Sequence, residues 1–187
     1  MQEGGISDDP IDAIVAAWRR ELPDLPTHSI GIVTRVWHIA KILGDDRARL
    51  LRDHHADTAT LDLLSTLRRQ GAPYRMTTRE LAAASLITAG AITQRVDRAE
   101  AQGLVTRSTR PNSRTVDIAL SPLGRTTIDS LVTAVLTREC ELLADLSGQR
   151  HDQLENMLRE LLAHLTRMLD ISRRPSHVGH RDDADDA

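Results

Sequence analysis

The chain has 187 residues, enough for one domain with a substantial core, and 24 basic and 27 acidic residues give it a formal charge of −3. Its aromatic residues are two Trp and one Tyr, so the core must be aliphatic, which favours helices over a β-sandwich. The single cysteine, Cys140, excludes an internal disulfide framework and a cysteine-only metal site. The sequence begins unlike a signal peptide and has no long apolar run, so we expect a cytoplasmic protein.

The charge is unevenly distributed along the sequence. Residues 68–125 carry ten arginines and four acidic residues, a local charge of +6, whereas the rest of the chain carries −9. A basic block inside an otherwise acidic chain favours a nucleic-acid partner, and the total charge conceals it.

The first third of the chain predicts three helices. Asp9-Pro10 opens a short helix, because Asp is a good N-cap and Pro suits the first helical position. A longer helix is expected over 27–54, with a break near Gly44. A third helix, with leucines at helical spacing, is expected over 58–69.

Two short helices are predicted next. The sequence Thr77-Thr78-Arg79-Glu80 is a capping box, which opens a helix over 78–86. Thr88 is suited to cap a second helix over 89–101, which Gly103 would end.

Two strands and two long helices complete the predicted elements. Alternating apolar and polar residues predict strands over 104–109 and 115–120, joined by a turn-rich segment. Leucine-rich helices are expected over 122–146 and from about 147 to 171. We expect the polar residues 173–187 to form a disordered acidic tail.

Two short helices and then a hairpin with a basic tip, all after a longer helix, are the layout of a winged helix-turn-helix. The second short helix would meet DNA with the small and polar residues at its start, while Ile92, Val96 and Ala99 face the core. Arginines at the hairpin tip suit phosphates or a narrow minor groove. The residues expected to contact DNA are Thr77, Thr88, Ala89, Gly90, Thr93, Gln94, Arg98, Arg110, Asn112 and Arg114. The alternative is a helical packing module whose arginines are only solvated surface residues.

Residues 81–124 resemble the MarR (multiple antibiotic resistance regulator) family of transcription factors, and the resemblance extends over about 10–169. It is carried by Val96-Asp97-Arg98, Gly103-Leu104-Val105, Asn112-Ser113-Arg114 and Leu120-Ser121-Pro122-Leu123-Gly124. The family usually has an Asp where this chain has Asn112, which affects the wing conformation but not the expected role of Arg114.

The resemblance implies a mainly α fold with a small two-stranded β-wing. It also implies a homodimer, formed by the N- and C-terminal helices, that binds a pseudo-palindromic double-stranded DNA operator, most often as a repressor. One MarR-like domain would occupy residues 1–172. Its parts are an extra helix and a dimerisation helix (10–54), the DNA-binding lobe (55–122) and C-terminal dimerisation helices (123–171). The apolar helical stripes independently require a partner, because one chain would leave them exposed.

The chain also resembles a urate-responsive subgroup of the family, which has an additional N-terminal helix. This resemblance implies a ligand site made of Trp18, Asp62, Arg95 and Arg107. An indole stacks on a planar heterocycle, arginines neutralise an anion, and a carboxylate accepts a ring N–H. Each residue also has a structural interpretation: Trp18 as a packing residue, Asp62 and Arg95 as an ion pair, and Arg107 as a phosphate contact or surface charge. Tricarboxylates, phenolic compounds and metals remain alternative effectors.

Other chemistries have weaker signals in the sequence. His54-His55 and the later His177 and His180 have some metal-ligand character, but adjacent helical histidines point in different directions. Cys140 lies among apolar neighbours at helical spacing, so we expect a small core residue and not a redox switch. No nucleophile elbow, phosphate-binding glycine loop or paired-carboxylate motif is present, so we expect neither an enzyme nor a cofactor.

Overall fold

A computed structural model of the chain describes residues 9–85, 88–109 and 115–170. Seven helices and three strands lie in this part of the chain. The helices are α1 (Pro10–Glu21), α2 (His28–Asp53), α3 (Thr58–Arg69), α4 (Thr78–Ser85), α5 (Ala89–Ala101), α6 (Pro122–Leu142) and α7 (Gly148–Met168). The strands are β1 (Arg75–Thr77), β2 (Val105–Thr109) and β3 (Val116–Leu120). The predicted fold class, mainly helical with a small β-structure, is confirmed.

The sheet has three strands and not the two that were expected. It is antiparallel with the order β1-β3-β2. Met76 of β1 lies opposite Ile118 of β3, and Val105 of β2 lies opposite Leu120. A strand as short as β1 carries too little alternation to be predicted, because pairing with β3 and not local pattern stabilises it.

Helix α2 is continuous, so the expected break near Gly44 is wrong. A glycine inside a helix costs about 1 kcal/mol relative to alanine, and the surrounding helical residues offset this cost. Helix α6 ends at Leu142, four residues before the expected end.

The chain divides into two compact units, and the first runs through Asp46. Its two helical segments are joined by Arg35, whose Nε donates to Asp9 Oδ2 (2.8 Å) and whose Nη2 donates to Asp12 Oδ1 (2.8 Å). Asp9 also caps α1 by accepting from the backbone N–H of Ile11 (2.9 Å). The hydrogen bond from Arg35 lowers the pKa of Asp9 below its ordinary value. The predicted helix start is therefore confirmed.

The second unit begins at Arg47 and contains the main hydrophobic core. Aliphatic side chains of α3, α4, α5, β3 and α6 pack together in it, as the near-absence of aromatic residues predicted. Its fully buried side chains include Leu51, Leu63, Leu64, Leu67, Leu81, Ile92, Val96, Val105, Ile118, Ile128 and Leu131.

Two glycines fix the junction between α5, β2 and α6. Gly103 has a φ of +72°, a left-handed conformation that glycine adopts without steric cost and that ends α5. A Cβ at Gly124 would lie 1.9 Å from the carbonyl oxygen of Leu104, so only glycine allows this close approach. Ser121 caps α6 at Gly124 N (2.9 Å) and donates to the carbonyl of Gly103 (2.6 Å).

Several helices expose long apolar stripes. No residue of α7 is buried, and its exposed large side chains include Leu154, Met157, Leu158, Leu162 and Leu165. In the first unit Ile32, Val36, Trp37 and Ile39 of α2 are likewise exposed. None of the helices that the structure describes is both long and apolar enough to cross a membrane.

Candidate nucleic-acid interface

Helices α4 and α5 are each fixed at the N-terminus by a side-chain cap. Thr77 Oγ1 accepts from the backbone N–H of Glu80 (3.2 Å), while Glu80 Oε2 accepts from the backbone N–H of Thr77 (2.7 Å). Thr88 Oγ1 accepts from the backbone N–H of Ala91 (3.2 Å). The predicted capping box and the predicted N-cap are both confirmed.

Helix α5 presents one buried and one exposed face. Ile92, Val96 and Ala99 are buried, as predicted. Thr88 and the residues expected on the DNA side are exposed, namely Gly90, Thr93, Gln94 and Arg98. No atom lies within 4 Å of a Cβ built on Gly90, so this end of the helix is open to a close partner. The face is therefore accessible to a base edge or a phosphate.

The hairpin beside α5 is described up to its tip. β2 and β3 pair in antiparallel register, with Arg107 opposite Ile118. The predicted tip residues Arg110, Asn112 and Arg114, and the side chain of Ala89, fall outside the described part of the chain. Their expected roles stay predictions.

Arg79 is a candidate DNA contact that the sequence reasoning missed. It is exposed at the start of α4 and, with Thr77, Thr78 and Thr115, lines an open groove beside the first residues of β3. A cation is disfavoured in the first turn of a helix, where the dipole is positive, so its presence there was an available signal. A phosphate in this groove would meet the charge of Arg79 at the N-terminus of α4, beside the Glu80 carboxylate that already accepts from the N–H of Thr77.

Arg98 is held by the residue that caps α3. Its Nη1 lies 3.1 Å from Asp57 Oδ2, and Asp57 Oδ1 accepts from the backbone N–H of Thr60 (2.7 Å). Burial alone would raise the pKa of Asp57, but the hydrogen bonds from Thr60 and Arg98 outweigh it, so that this pKa is lowered. The predicted DNA contact Arg98 is thus an ion-pair partner in the free protein.

Two of the four predicted ligand residues meet in the structure. Arg95 Nη1 of α5 lies 3.6 Å from Asp62 Oδ2 of α3, and the two side chains are only 13% and 4% exposed. Arg95 therefore points inward, as its helical position predicted, and joins α5 to α3. This arrangement agrees with the ion-pair interpretation of the two residues.

Arg107 does not join that pair. Its guanidinium binds two carboxylates of α5, through Nη2 to Asp97 and through Nη1 to Glu100 Oε2 at 3.1 Å. Neither acid is among the site residues predicted from the sequence.

Trp18, the remaining predicted ligand residue, lies on α1 in the first unit and is 47% exposed. An indole that is half-exposed is available to a partner, whether a ligand or an apolar surface. Its role stays a prediction.

An apolar groove of about 650 Å³ lies in the second unit between α3 and α6. Leu61, Val132 and Leu136 line it, together with two ion pairs, Arg47–Glu139 and Arg68–Asp129. The hydrogen bond from Arg68 lowers the pKa of Asp129. The groove combines apolar walls with a few charged groups, as small-molecule sites do.

The described residues hold no group of three or more His, Cys, Asp or Glu side chains arranged for a metal. His177 and His180 lie outside this part of the chain. The expectation that Cys140 is a core residue is wrong, because it is exposed on α6. Its face of that helix lies away from the core that Ile128, Leu131 and Val135 enter.

Comparison with known proteins agrees with this geometry. Residues 57–114 match the model of the MarR family. The HTH-type transcriptional regulator PecS of Dickeya dadantii is 26% identical over 156 residues, covering 83% of this chain and 94% of that protein.

Two solved structures have the same fold. A MarR family protein from Bacillus stearothermophilus is similar with a TM-score of 0.64 and 22% identity, covering 76% of this chain and 99% of that one. NadR in complex with 4-hydroxyphenylacetate is similar with a TM-score of 0.54 and 21% identity, covering 70% and 91%.

PecS is a transcriptional regulator and not an enzyme. Residues 57–114 are thus similar to the MarR family model, and the fold of the described residues is that of a solved MarR family structure.

Proposed function

We propose that this chain is a homodimeric repressor that binds a pseudo-palindromic DNA operator. The observation that carries the proposal is the exposed polar face of α5, capped at Thr88 and flanked by the β2–β3 hairpin. Thr93 and Gln94 would read base edges in the major groove, while Arg79 and the tip residues Arg110 and Arg114 would bind phosphates. Thr77, Gly90 and Arg98 would lie close to the DNA as well.

The apolar stripes support a second copy of the chain as partner. A monomer rarely exposes contiguous apolar surface on this scale, and a two-fold dimer buries the same stripe on both copies. The exposed leucines of α7 and the exposed apolar residues of α2 are the candidate interface residues. In this proposal residues 10–54 and 123–171 form the dimer body, and residues 55–122 form the DNA-binding lobe.

A selection experiment tests the DNA proposal. The full chain is incubated with random-sequence duplexes, and the bound fraction is sequenced. A two-fold dimer would enrich an inverted repeat with half-site centres about 10 base pairs apart, one turn of B-DNA. Enrichment of no motif would contradict the proposal, and enrichment of a single unrepeated half-site would contradict the dimeric part.

We further propose a small anionic effector, urate or a similar metabolite, that would bind beside the Asp62–Arg95 pair. An anion that binds Arg95 would compete with Asp62 and shift α5, which carries both Arg95 and the DNA-binding face. Trp18 would supply a stacking surface and Arg107 a further positive charge. The alternatives are a tricarboxylate, a phenolic compound or a metal.

Titration of a protein–DNA complex with urate tests the effector. Release of DNA by urate, and loss of that response in Trp18→Ala with DNA affinity unchanged, are the expected results. Allantoin, which lacks the aromatic purine ring, is the matched control compound. A complex that is indifferent to urate would contradict this ligand while leaving the DNA proposal intact.

The groove between α3 and α6 supports a second candidate, an aromatic carboxylate or a phenol. Its apolar walls suit a benzene ring, and Arg69, which forms no ion pair among the described residues, lines it beside Arg68. The similar protein NadR is in complex with such a compound. Release of DNA by 4-hydroxyphenylacetate, and its loss in Val132→Trp, would support this site over the urate site.

A further inference from the structure

The recognition helix α5 has an unusual charge for a helix proposed to approach DNA. It carries two arginines and two carboxylates, so its side chains sum to zero. Asp97 follows Thr93 by one turn and shares its exposed face. A carboxylate at that place would repel the phosphates that flank the groove.

The two arginines of α5 are already engaged by acids of other elements. Arg95 is paired with Asp62 and Arg98 with Asp57, both from the α3 region. These contacts leave Asp97 and Glu100 to be compensated from outside the helix.

Arg107 of β2 supplies that compensation. Its guanidinium contacts both Asp97 and Glu100, and its backbone is fixed in the sheet opposite Ile118. The Arg107 side chain is 32% exposed and those of Asp97 and Glu100 are 55% and 40% exposed, so salt partly screens these ion pairs. One arginine is therefore shared by the two carboxylates of α5.

We propose that Arg107 is a positioning residue for DNA binding, which neutralises Asp97 and Glu100 and so makes α5 acceptable to a phosphate backbone. The inference rests on the proposed DNA-binding function. This role differs from the proposed ligand role of Arg107. If Arg107 acted only on the ligand, its substitution would leave the DNA affinity of the ligand-free protein unchanged.

The test measures affinity for a random-sequence duplex of about 30 base pairs, long enough for two half-sites, by fluorescence anisotropy without ligand. Arg107→Gln is expected to weaken binding about fivefold, the effect of roughly one charge interaction near a protein surface. Arg107→Lys, which keeps the charge, is expected to retain most of the affinity. Asp97→Asn combined with Glu100→Gln is expected to restore binding in the Arg107→Gln background.

Arg159→Gln is the matched control. Arg159 pairs with Glu155 on α7, and neither residue belongs to the proposed DNA-binding face or the proposed ligand sites. It removes the same charge and is expected to leave DNA affinity unchanged. Circular dichroism verifies that every variant keeps its helix content.

Two results would overturn the inference while the DNA proposal stands. One is Arg107→Gln with unchanged affinity. The other is an equal loss with and without Asp97 and Glu100, which would indicate that Arg107 contacts a phosphate itself. Absence of DNA binding by the unmodified chain would overturn the DNA proposal and this inference together.

Discussion

At the residue scale, the Asp62–Arg95 pair joins two largely buried side chains. Removing one partner of such a pair leaves a charge with poor solvation, so Arg95→Gln is expected to lower the free energy of unfolding by about 3 kcal/mol. Asp62→Asn in the same chain should recover much of this loss. Urea denaturation measures both values, with Arg159→Gln as an exposed control. A loss in Arg95→Gln no larger than in that control would contradict the prediction.

Asp57 gives the second prediction at this scale, a dependence of stability on pH. Because its pKa is lowered on folding, the ionised group stabilises the folded state above the unfolded pKa of about 4. That contribution is lost as the pH falls through the folded pKa. Asp57→Asn keeps a good N-cap for α3 but removes the ion pair with Arg98.

The measurement for Asp57 is the difference in urea midpoint between the two proteins from about pH 7 down to about pH 3, a range around the carboxyl pKa. The urea midpoint of the unmodified protein should be higher than that of Asp57→Asn at neutral pH, and this difference should decrease in acid. A difference that is constant over this range would contradict the assignment.

At the element scale, the packing of α6 against the turn between α5 and β2 depends on Gly124. Gly124→Ala places a methyl group on the carbonyl oxygen of Leu104, so the backbone must move, at a cost of about 3 kcal/mol. Gly148→Ala, at the start of α7, meets open space and is expected to be nearly neutral. Thermal unfolding of the two variants checks this contrast, and equal melting temperatures would contradict it.

Helices α3 and α5 have the predicted bounds, because their caps and aliphatic periodicity are local features that the sequence states directly. The strand β1 could not be predicted in the same way, since its pairing with β3 joins residues far apart in the chain. The site shows the same division. The inward orientation of Arg95 could be predicted from helical periodicity. The pairing of Arg98 with Asp57 could not, because the two residues are 41 positions apart in the chain and meet only when α3 packs on α5.

At the scale of the whole molecule, the exposed stripe on α7 predicts assembly. Leu158→Glu places a charge in the proposed two-fold interface and is expected to produce monomers. Asn156→Glu adds the same charge to an exposed position of the same helix, where Asn156 accepts from Arg159, and should leave the dimer intact. Light scattering after size-exclusion chromatography measures the mass. Two variants with the same mass would contradict this interface.

The local charge of +6 overstates the positive charge that is available to DNA. Five of the eight described arginines in residues 68–125 are within 4 Å of a carboxylate, and three of those acids come from outside the block. Arg69, Arg79 and Arg125 form no ion pair among the described residues. We therefore expect DNA affinity to depend more on a few arginines without acidic partners than on the total charge of residues 68–125.

The most direct test of the DNA-binding claim compares two duplexes, the DNA upstream of the protein's own gene and a scrambled sequence of the same composition. Anisotropy titrations at several salt concentrations give both affinities. The account predicts binding at least about 10³-fold tighter to the upstream duplex, weakening with salt for both, and a reduced ratio in Gln94→Ala. Equal affinity for the two duplexes, or no binding to either, would contradict it.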